Sequence, residues 1–328
     1  MKFDRHPTEL LIVLVVFLRS HAHPNSNNEP VEAPRSPWPR PDAAVMETVQ
    51  TYISWGSSAG QATPDCKRFL ATFGANRSWE SPFTSNEFME YDIEGACNRL
   101  AMNLSWRVAS LDAGQYLYPL YSQHLGMESY WKVGFVWNAV GGAKNLSHVF
   151  NRKEYNFTII TVLWLQVYPN NKSYIFNAVD VFWPDAEATF PTTLTNMVDN
   201  YVSFLGGNCK TWAELFWRDV GMVTVSGEDT GYYGPTGLTE YCSKMVYMWS
   251  SYVHDVDDMS YSVDIYSSTV EKVAFTWTRT GVYLGRVRTD EILTVFYIRS
   301  APTPKADLKI FIAWDFLQPP MEEASLMT

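Results

Sequence analysis

The sequence carries one text twice. Lys132-Val133-Gly134-Phe135-Val136-Trp137 recurs as Lys272-Val273-Ala274-Phe275-Thr276-Trp277, 140 positions later. Ile175-Phe176-Asn177-Ala178-Val179-Asp180 recurs as Ile310-Phe311-Ile312-Ala313-Trp314-Asp315, 135 positions later. Cys66-Lys67-Arg68-Phe69 with Phe73 recurs as Cys209-Lys210-Thr211-Trp212 with Phe216, and Cys97 has Cys242 as its counterpart. Matches in one order at nearly one offset describe two copies of one unit of about 140 residues. That period is too long for a solenoid, so each copy is expected to carry its own core. The first copy is placed at residues 43–184 and the second at 192–320, with 321–328 as a tail. The joint Asp185–Pro191 holds no charge block or Gly/Ser run, so the two are expected to pack on each other.

The chain opens on a targeting pattern rather than on structure. Lys2 and Arg5 precede the apolar run Leu10–Leu18, and Ser20-His21-Ala22 offers a small-x-small cleavage site, so residues 1–22 read as a signal peptide. The run is far short of the roughly 20 residues that span a bilayer, and no other stretch comes closer, so no membrane span is expected. Residues 23–42 hold six prolines and read as an extended arm. Five N-x-S/T sequons, at Asn76, Asn103, Asn145, Asn156 and Asn171, fit a secreted glycoprotein. All five fall in the first copy, which leaves the second bare for contacts. The net charge of −10, with no basic run, argues against a nucleic-acid partner.

Each copy holds two of the four cysteines, 31 residues apart in the first and 33 in the second. Four cysteines allow three pairings, and the repeat selects Cys66–Cys97 with Cys209–Cys242. Neither pair has a nearby histidine or a CxxC spacing, so disulfides are expected rather than metal, in keeping with an oxidising compartment.

The order of elements also repeats. Val45, Val49, Tyr52 and Ile53 show helical spacing, matched by Met197, Tyr201, Val202 and Phe204. A second helix is expected from Cys66 to about Phe73 and from Cys209 to about Trp217, then a short strand, clearest as Met222–Val225. A third helix is expected over Ile93 to about Trp106 and Leu238 to about Tyr252. Long β segments follow: Val133–Trp137, Thr158–Tyr168 and Tyr174–Trp183, then Val273–Trp277, Ile292–Arg299 and Leu308–Leu317. Helices first and a bent antiparallel sheet last make an α+β class.

This order resembles the NTF2-like fold, in particular its SnoaL-like and ketosteroid-isomerase-like families. Two passages carry the resemblance. One runs from Val223-Thr224-Val225-Ser226-Gly227 to Gly234-Pro235-Thr236-Gly237-Leu238; the other is the final strand ending in an acid, Phe176–Asp180 and Phe311–Asp315. The first copy departs from the glycine pattern, reading Ser81-Pro82-Phe83-Thr84. The resemblance implies two cones, each a curled sheet around helices with an apolar cavity, and an acid or histidine placed there for proton transfer. In size, secretion and lack of cofactor motifs the layout also resembles secreted marine-worm luciferases, which would bring molecular oxygen in as a second partner.

Asp180 and Asp315 are the first catalytic candidates. Strand alternation groups Asp315 with Phe311, Ala313 and Leu317, and Asp180 with Phe176, Ala178 and Phe182; a carboxylate among apolar neighbours has a raised pKa suited to acid–base work. A pair at one place in both copies reads rather as scaffold, because duplicated catalytic sites diverge. His254 opens the acidic cluster His254–Asp258, read as a solvated turn that lacks the glycine and distal glutamate of a calcium loop. His124, with His254 a further catalytic candidate, lies in Tyr118–His124, an aromatic insert of the first copy that could rim the pocket. Tyr232 and Tyr233, in a loop before the third helix, are ligand-binding candidates, as are Trp137 and Trp277, which fit a core role as well. His148 reads as solvent-facing, and Gly56-Ser57-Ser58-Ala59-Gly60 reads as a helix–helix loop rather than a nucleophile elbow. No phosphate loop, dinucleotide fingerprint, heme motif or metal motif occurs. The expectation is a cofactor-independent protein for a small apolar molecule, either an enzyme of isomerase, lyase or oxygenase type or a carrier. Function is expected where the copies disagree.

Overall fold

The computed structural model describes residues 43–54, 66–81, 92–110, 118–125, 128–143, 155–182, 191–203, 208–218, 221–225, 231–263, 270–300 and 308–317. The signal peptide, the Pro-rich arm, the Gly56–Gly60 loop, His148 and Asn145 lie outside them.

In the first half, α1 (Ala43–Ser54) and α2 (Cys66–Leu70) precede β1 (Phe73–Glu80) and α3 (Ile93–Asn103). Then come β2 (Leu104–Ser110), β3 (Tyr118–Leu125), β4 (Glu128–Ala143), β5 (Tyr155–Val167) and β6 (Ser173–Val181). The second half repeats this with α4 (Thr192–Val202), α5 (Cys209–Ala213), β7 (Met222–Val225), β8 (Gly231–Tyr233) and α6 (Gly234–Met248). It ends with β9 (Trp249–Val263), β10 (Val270–Tyr283), β11 (Arg286–Ser300) and β12 (Leu308–Leu317). The path β1-β6-β5-β4-β2 of one sheet has the same form as β7-β12-β11-β10-β9 of the other. In each, only the strand after the short helix is parallel to its neighbour.

The helices follow from their apolar spacing. On α4, Leu194, Met197, Val198, Tyr201 and Val202 are buried; on α1, Val45, Thr48, Val49, Tyr52 and Ile53 are buried. Disulfides join Cys66 to Cys97, and so α2 to α3, and Cys209 to Cys242, and so α5 to α6. These five-residue helices are too short to hold themselves, and the crosslinks fix them to longer partners.

Several expectations are corrected. The second helices stop at Leu70 and Ala213, because Phe73 already begins β1 and Phe216 bridges to Ile310. The third helices stop at Asn103 and Met248 and pass directly into β2 and β9. His254–Asp258 is no turn: it lies within β9, paired to β10 through His254↔Arg279 and Val256↔Trp277. An edge strand with a solvated outer face mimics a loop in composition. Tyr118–His124 is no added element either. β2 and β3, of seven and eight residues, both pair with β4 and together have the length of the fifteen-residue β9, so the first copy has one edge strand broken in two.

Each half has its own aromatic-rich core between helices and the concave sheet face, around Phe69, Trp79 and Trp137 in one and Trp212, Phe275 and Trp277 in the other. A third cluster joins the outer sheet faces: Val136, Ile160, Val162, Val179 and Val181 meet Ala274, Leu293, Val295, Tyr297 and Phe316. Trp164 packs edge-on against Trp314, with centroids 5.4 Å apart. Inside this seam Glu80 accepts from Tyr297 Oη at 2.8 Å and faces Lys272 Nζ at 3.4 Å. Burial pushes the Glu80 carboxyl up, while Lys272 and the Tyr297 hydrogen bond act against that rise. No helix among the described residues is long and apolar enough to cross a membrane.

Candidate functional site

Both concave faces are organised around one carboxylate. In the first half, Asp180 on β6 accepts from Tyr52 Oη of α1 at 2.7 Å, Trp79 Nε1 of β1 at 2.9 Å and Thr161 Oγ1 of β5 at 2.6 Å. In the second, Asp315 on β12 accepts from Tyr201 Oη at 2.7 Å, Thr294 Oγ1 at 2.7 Å and Tyr241 Oη at 3.3 Å. Trp137 and Trp277 each donate Nε1 to the hub threonine at 3.0 Å. The two tryptophans are buried at 2% and 1% exposure, as is each aspartate at 3%. Burial raises both carboxyls above the ordinary aspartate range, against the pull of their hydrogen bonds. Burial and then the neighbouring carboxylate push Tyr52 and Tyr201 well up too. A tyrosine so placed keeps its proton and serves as a donor.

The face assignments made from strict alternation fail at one place in each half. A bulge between Tyr297 and Ile298 shifts β12, so Ile310 rather than Phe311 enters the core beside Ala313. Phe311 instead lies under the Arg299 guanidinium at 4.1 Å. In the first half the bulge between Trp164 and Leu165 does the same, so Ile175 is buried and Phe176 turns toward Tyr130.

The halves differ in what flanks the hub. Arg279 on β10 pairs across the ladder with Asp290 on β11, and Arg279 Nη2 donates to Asp290 Oδ2 at 2.7 Å. Arg288 Nε donates to the other oxygen, Asp290 Oδ1. The Arg279 guanidinium lies over Trp249 at 4.3 Å and near Trp277 at 5.5 Å; Trp249 meets Tyr283 at 5.3 Å, and Arg288 covers Tyr283 at 4.5 Å. The result is a ladder of cations and aromatic rings, in the order Arg288, Tyr283, Trp249, Arg279 and Trp277, from rim to hub. In the first-half register the matching cross-strand pairs are Ala139↔Phe157 for Arg279↔Asp290, and Leu104↔Ala143 for Trp249↔Tyr283. Among the described residues the ladder belongs to the second half alone. Sequence reasoning missed it, although comparing the copies position by position (Arg279 against Ala139) was the available signal.

Tyr232 and Tyr233 stand in β8, not a loop, paired with Val223 and Met222 of β7. Tyr232 packs on Tyr241 at 5.0 Å and accepts from Lys244 Nζ at 3.1 Å, linking the hub to the surface; Tyr233 is 66% exposed. His254 is exposed, 6.0 Å from the Tyr252 ring at the β9 edge. His124 is placed on β3, paired with Ser129. Asn171 sits exposed at the β5–β6 turn with φ of 58°, while Asn76, Asn103 and Asn156 lie on β1, α3 and β5. An open surface cavity of about 580 Å³ lies on the first half between Phe73, Arg77, Tyr168 and Tyr174, and none of its lining residues belongs to a hub or the ladder. Among the described residues no His, Cys, Asp or Glu cluster could hold a metal ion. Nothing among them bears on molecular oxygen or the luciferase-type reading.

No protein-family model and no curated protein matches this sequence. Part of the chain is similar to solved structures of NTF2-like and ketosteroid isomerase-like proteins. Aln2 from a Streptomyces species is 12% identical over 42% of this chain and 94% of its own, with a TM-score of 0.33. A ketosteroid isomerase-like protein from Erwinia carotovora atroseptica is 11% identical over 39% of this chain and 96% of its own, at 0.32. The hexachlorocyclohexane dehydrochlorinase LinA-type3 from Novosphingobium barchaimii is 13% identical over 39% and 86%, also at 0.33.

Proposed function

We propose that this is a secreted glycoprotein of two tandem NTF2-like domains that takes a small, largely apolar molecule into its second half and acts on it by proton transfer without a cofactor. One observation carries the reading: the second concave face adds Trp249, Arg279, Tyr283, Arg288 and Asp290 to a hub that both halves share. A feature common to both copies fits scaffold. Polar groups confined to one copy fit use, because buried charge costs stability without helping the fold. The second hub also has the groups for proton movement. Asp315 holds two phenols rather than one phenol and an indole, and phenol oxygens can pass a proton on where an indole N–H only donates. Tyr232 and Lys244 extend that line outward. Asp180 serves as the structural counterpart.

The test follows hydrogen exchange at carbon. The secreted protein is incubated in D₂O with a panel of small cyclic ketones and enones, and deuterium uptake is read by NMR. Exchange well above the buffer rate, lost in Tyr241→Phe but kept in Trp79→Phe, is expected. Absence of exchange across the panel overturns the catalytic part. The second reading, a non-catalytic carrier, is favoured by the sealed state of both hubs, whose aspartates are each 3% exposed. It predicts binding of the same compounds with no exchange.

A further inference from the structure

Two buried donors in the ladder have no hydrogen-bond partner. They are Arg279 Nε and Trp249 Nε1, on side chains that are 3% and 1% exposed, and the guanidinium of one lies 4.3 Å from the ring centre of the other. An orphaned buried N–H costs free energy comparable to a lost hydrogen bond, and two side by side mark a place built for an acceptor. The charge count points the same way. Two guanidinium groups, Arg279 and Arg288, share the single carboxylate of Asp290. Burial raises Asp315, the next acid inward, and the nearby Arg279 acts against that rise. Two guanidinium groups thus meet one hydrogen-bonded carboxylate at this position.

We propose that this position in the second half binds the carboxylate of a small organic ligand. Arg279 Nε and Trp249 Nε1 are the donors, and the apolar body of the ligand lies along Trp277 and the hub. The inference rests on the small-molecule reading above and adds the chemical class of the ligand. Charge-assisted hydrogen bonds from a guanidinium are the strong kind, and a planar fork beside an indole N–H suits a two-oxygen acceptor. Arg288 and Tyr283 form the outer layer over this position. Arg288 is the more exposed member of its ion pair, at 19% against 2% for Asp290.

Octanoate and 1-octanol serve as probes with one apolar body and different heads, each titrated into the intact protein by calorimetry. Octanoate is expected to bind about tenfold tighter or more than octanol, the ratio that one charge-assisted hydrogen bond gives. Trp249→Phe keeps the ring and removes the N–H; it should cut that ratio about threefold or more, because octanoate loses a charge-assisted hydrogen bond where octanol loses a neutral one. Arg279→Lys keeps the charge and removes Nε, with the same expected outcome, and near-UV circular dichroism checks that each variant is folded. If octanol binds and octanoate binds no tighter, or if the ratio is unchanged in Trp249→Phe, the carboxylate site is wrong and the apolar site stands. If neither probe binds the wild-type protein, both readings fall.

Discussion

The two concave faces share a skeleton and differ in their flanks. Asp180 and Asp315 hold equivalent tyrosine and threonine partners, and matching tryptophans, Trp137 and Trp277, brace the two threonines. Beside that common hub, the first half has Ala139, Phe157, Leu104 and Ala143 in register, and the second has Arg279, Asp290, Trp249 and Tyr283. The difference teaches that the carboxylate hub is how this chain closes a helix onto a curved sheet. The cation–aromatic ladder is something the second half carries besides.

The comparison can be broken most directly at the hubs. Asp180→Ala and Asp315→Ala each leave buried donors without an acceptor and should each cost about 4 kcal/mol, read by denaturant unfolding. If one costs less than half the other, the hubs are not equivalent. Replacing both cysteines of a pair by serine should cost about 3.5 kcal/mol in either half, because loops of 31 and 33 residues release nearly equal chain entropy. A large inequality in the same unfolding assay would point to different packing of α2 and α5. Arg279→Met should cost about 2 kcal/mol, less than a fully orphaned buried charge, because Asp290 keeps Arg288.

A pH scan sharpens the comparison further. Burial raises Asp180 and Asp315 above the ordinary value of 3.8, and Glu80 above 4.5. Each acid therefore holds its proton more tightly folded than unfolded. The contribution of each is fully present below the unfolded value and is lost as pH rises through the raised folded value. The melting temperature should fall across that window, and Asp315→Asn should flatten the slope. A melting temperature that rises across the same window in the wild-type protein would contradict the assignment. The smallest effect concerns two exposed turns. Asn171 and Leu284 both have positive φ, at 58° and 45°, a region that asparagine tolerates and leucine does not favour. With Gly285 already at 80°, Leu284→Asn should stabilise the β10–β11 hairpin by about 0.5 kcal/mol, read as a small rise in melting temperature.

Much of this architecture is legible in the residues themselves. The repeat at Lys132 and Lys272 announces two sheets of one strand order, and the helical spacing on α1 and α4 shows which faces are buried. What stays hidden has physical causes. Bulges at Leu165 and Ile298 move Phe176 and Phe311 out of the cores, and no local pattern announces a bulge. The acids of β9 conceal it, since an edge strand buries too little to look like β. The Arg279–Asp290 pair lies across a hairpin, and register, not sequence spacing, brings its members together. Tyr232 and Tyr233 read as loop because a three-residue strand leaves almost no periodic signal.

The outer seam between the sheets has a consequence for how such a chain can change over time. Val162, Val179, Leu293, Val295 and the Glu80–Lys272 contact belong to one polypeptide, so their meeting does not depend on protein concentration. In a symmetric pair of separate subunits, every substitution strikes both partners at once. Here a residue such as Arg279 can arise in one half while the matching position in the other, Ala139, remains alanine. Expressed alone, either half would present a broad apolar sheet face to water and should clump, so the gene for this protein is not readily cut in two.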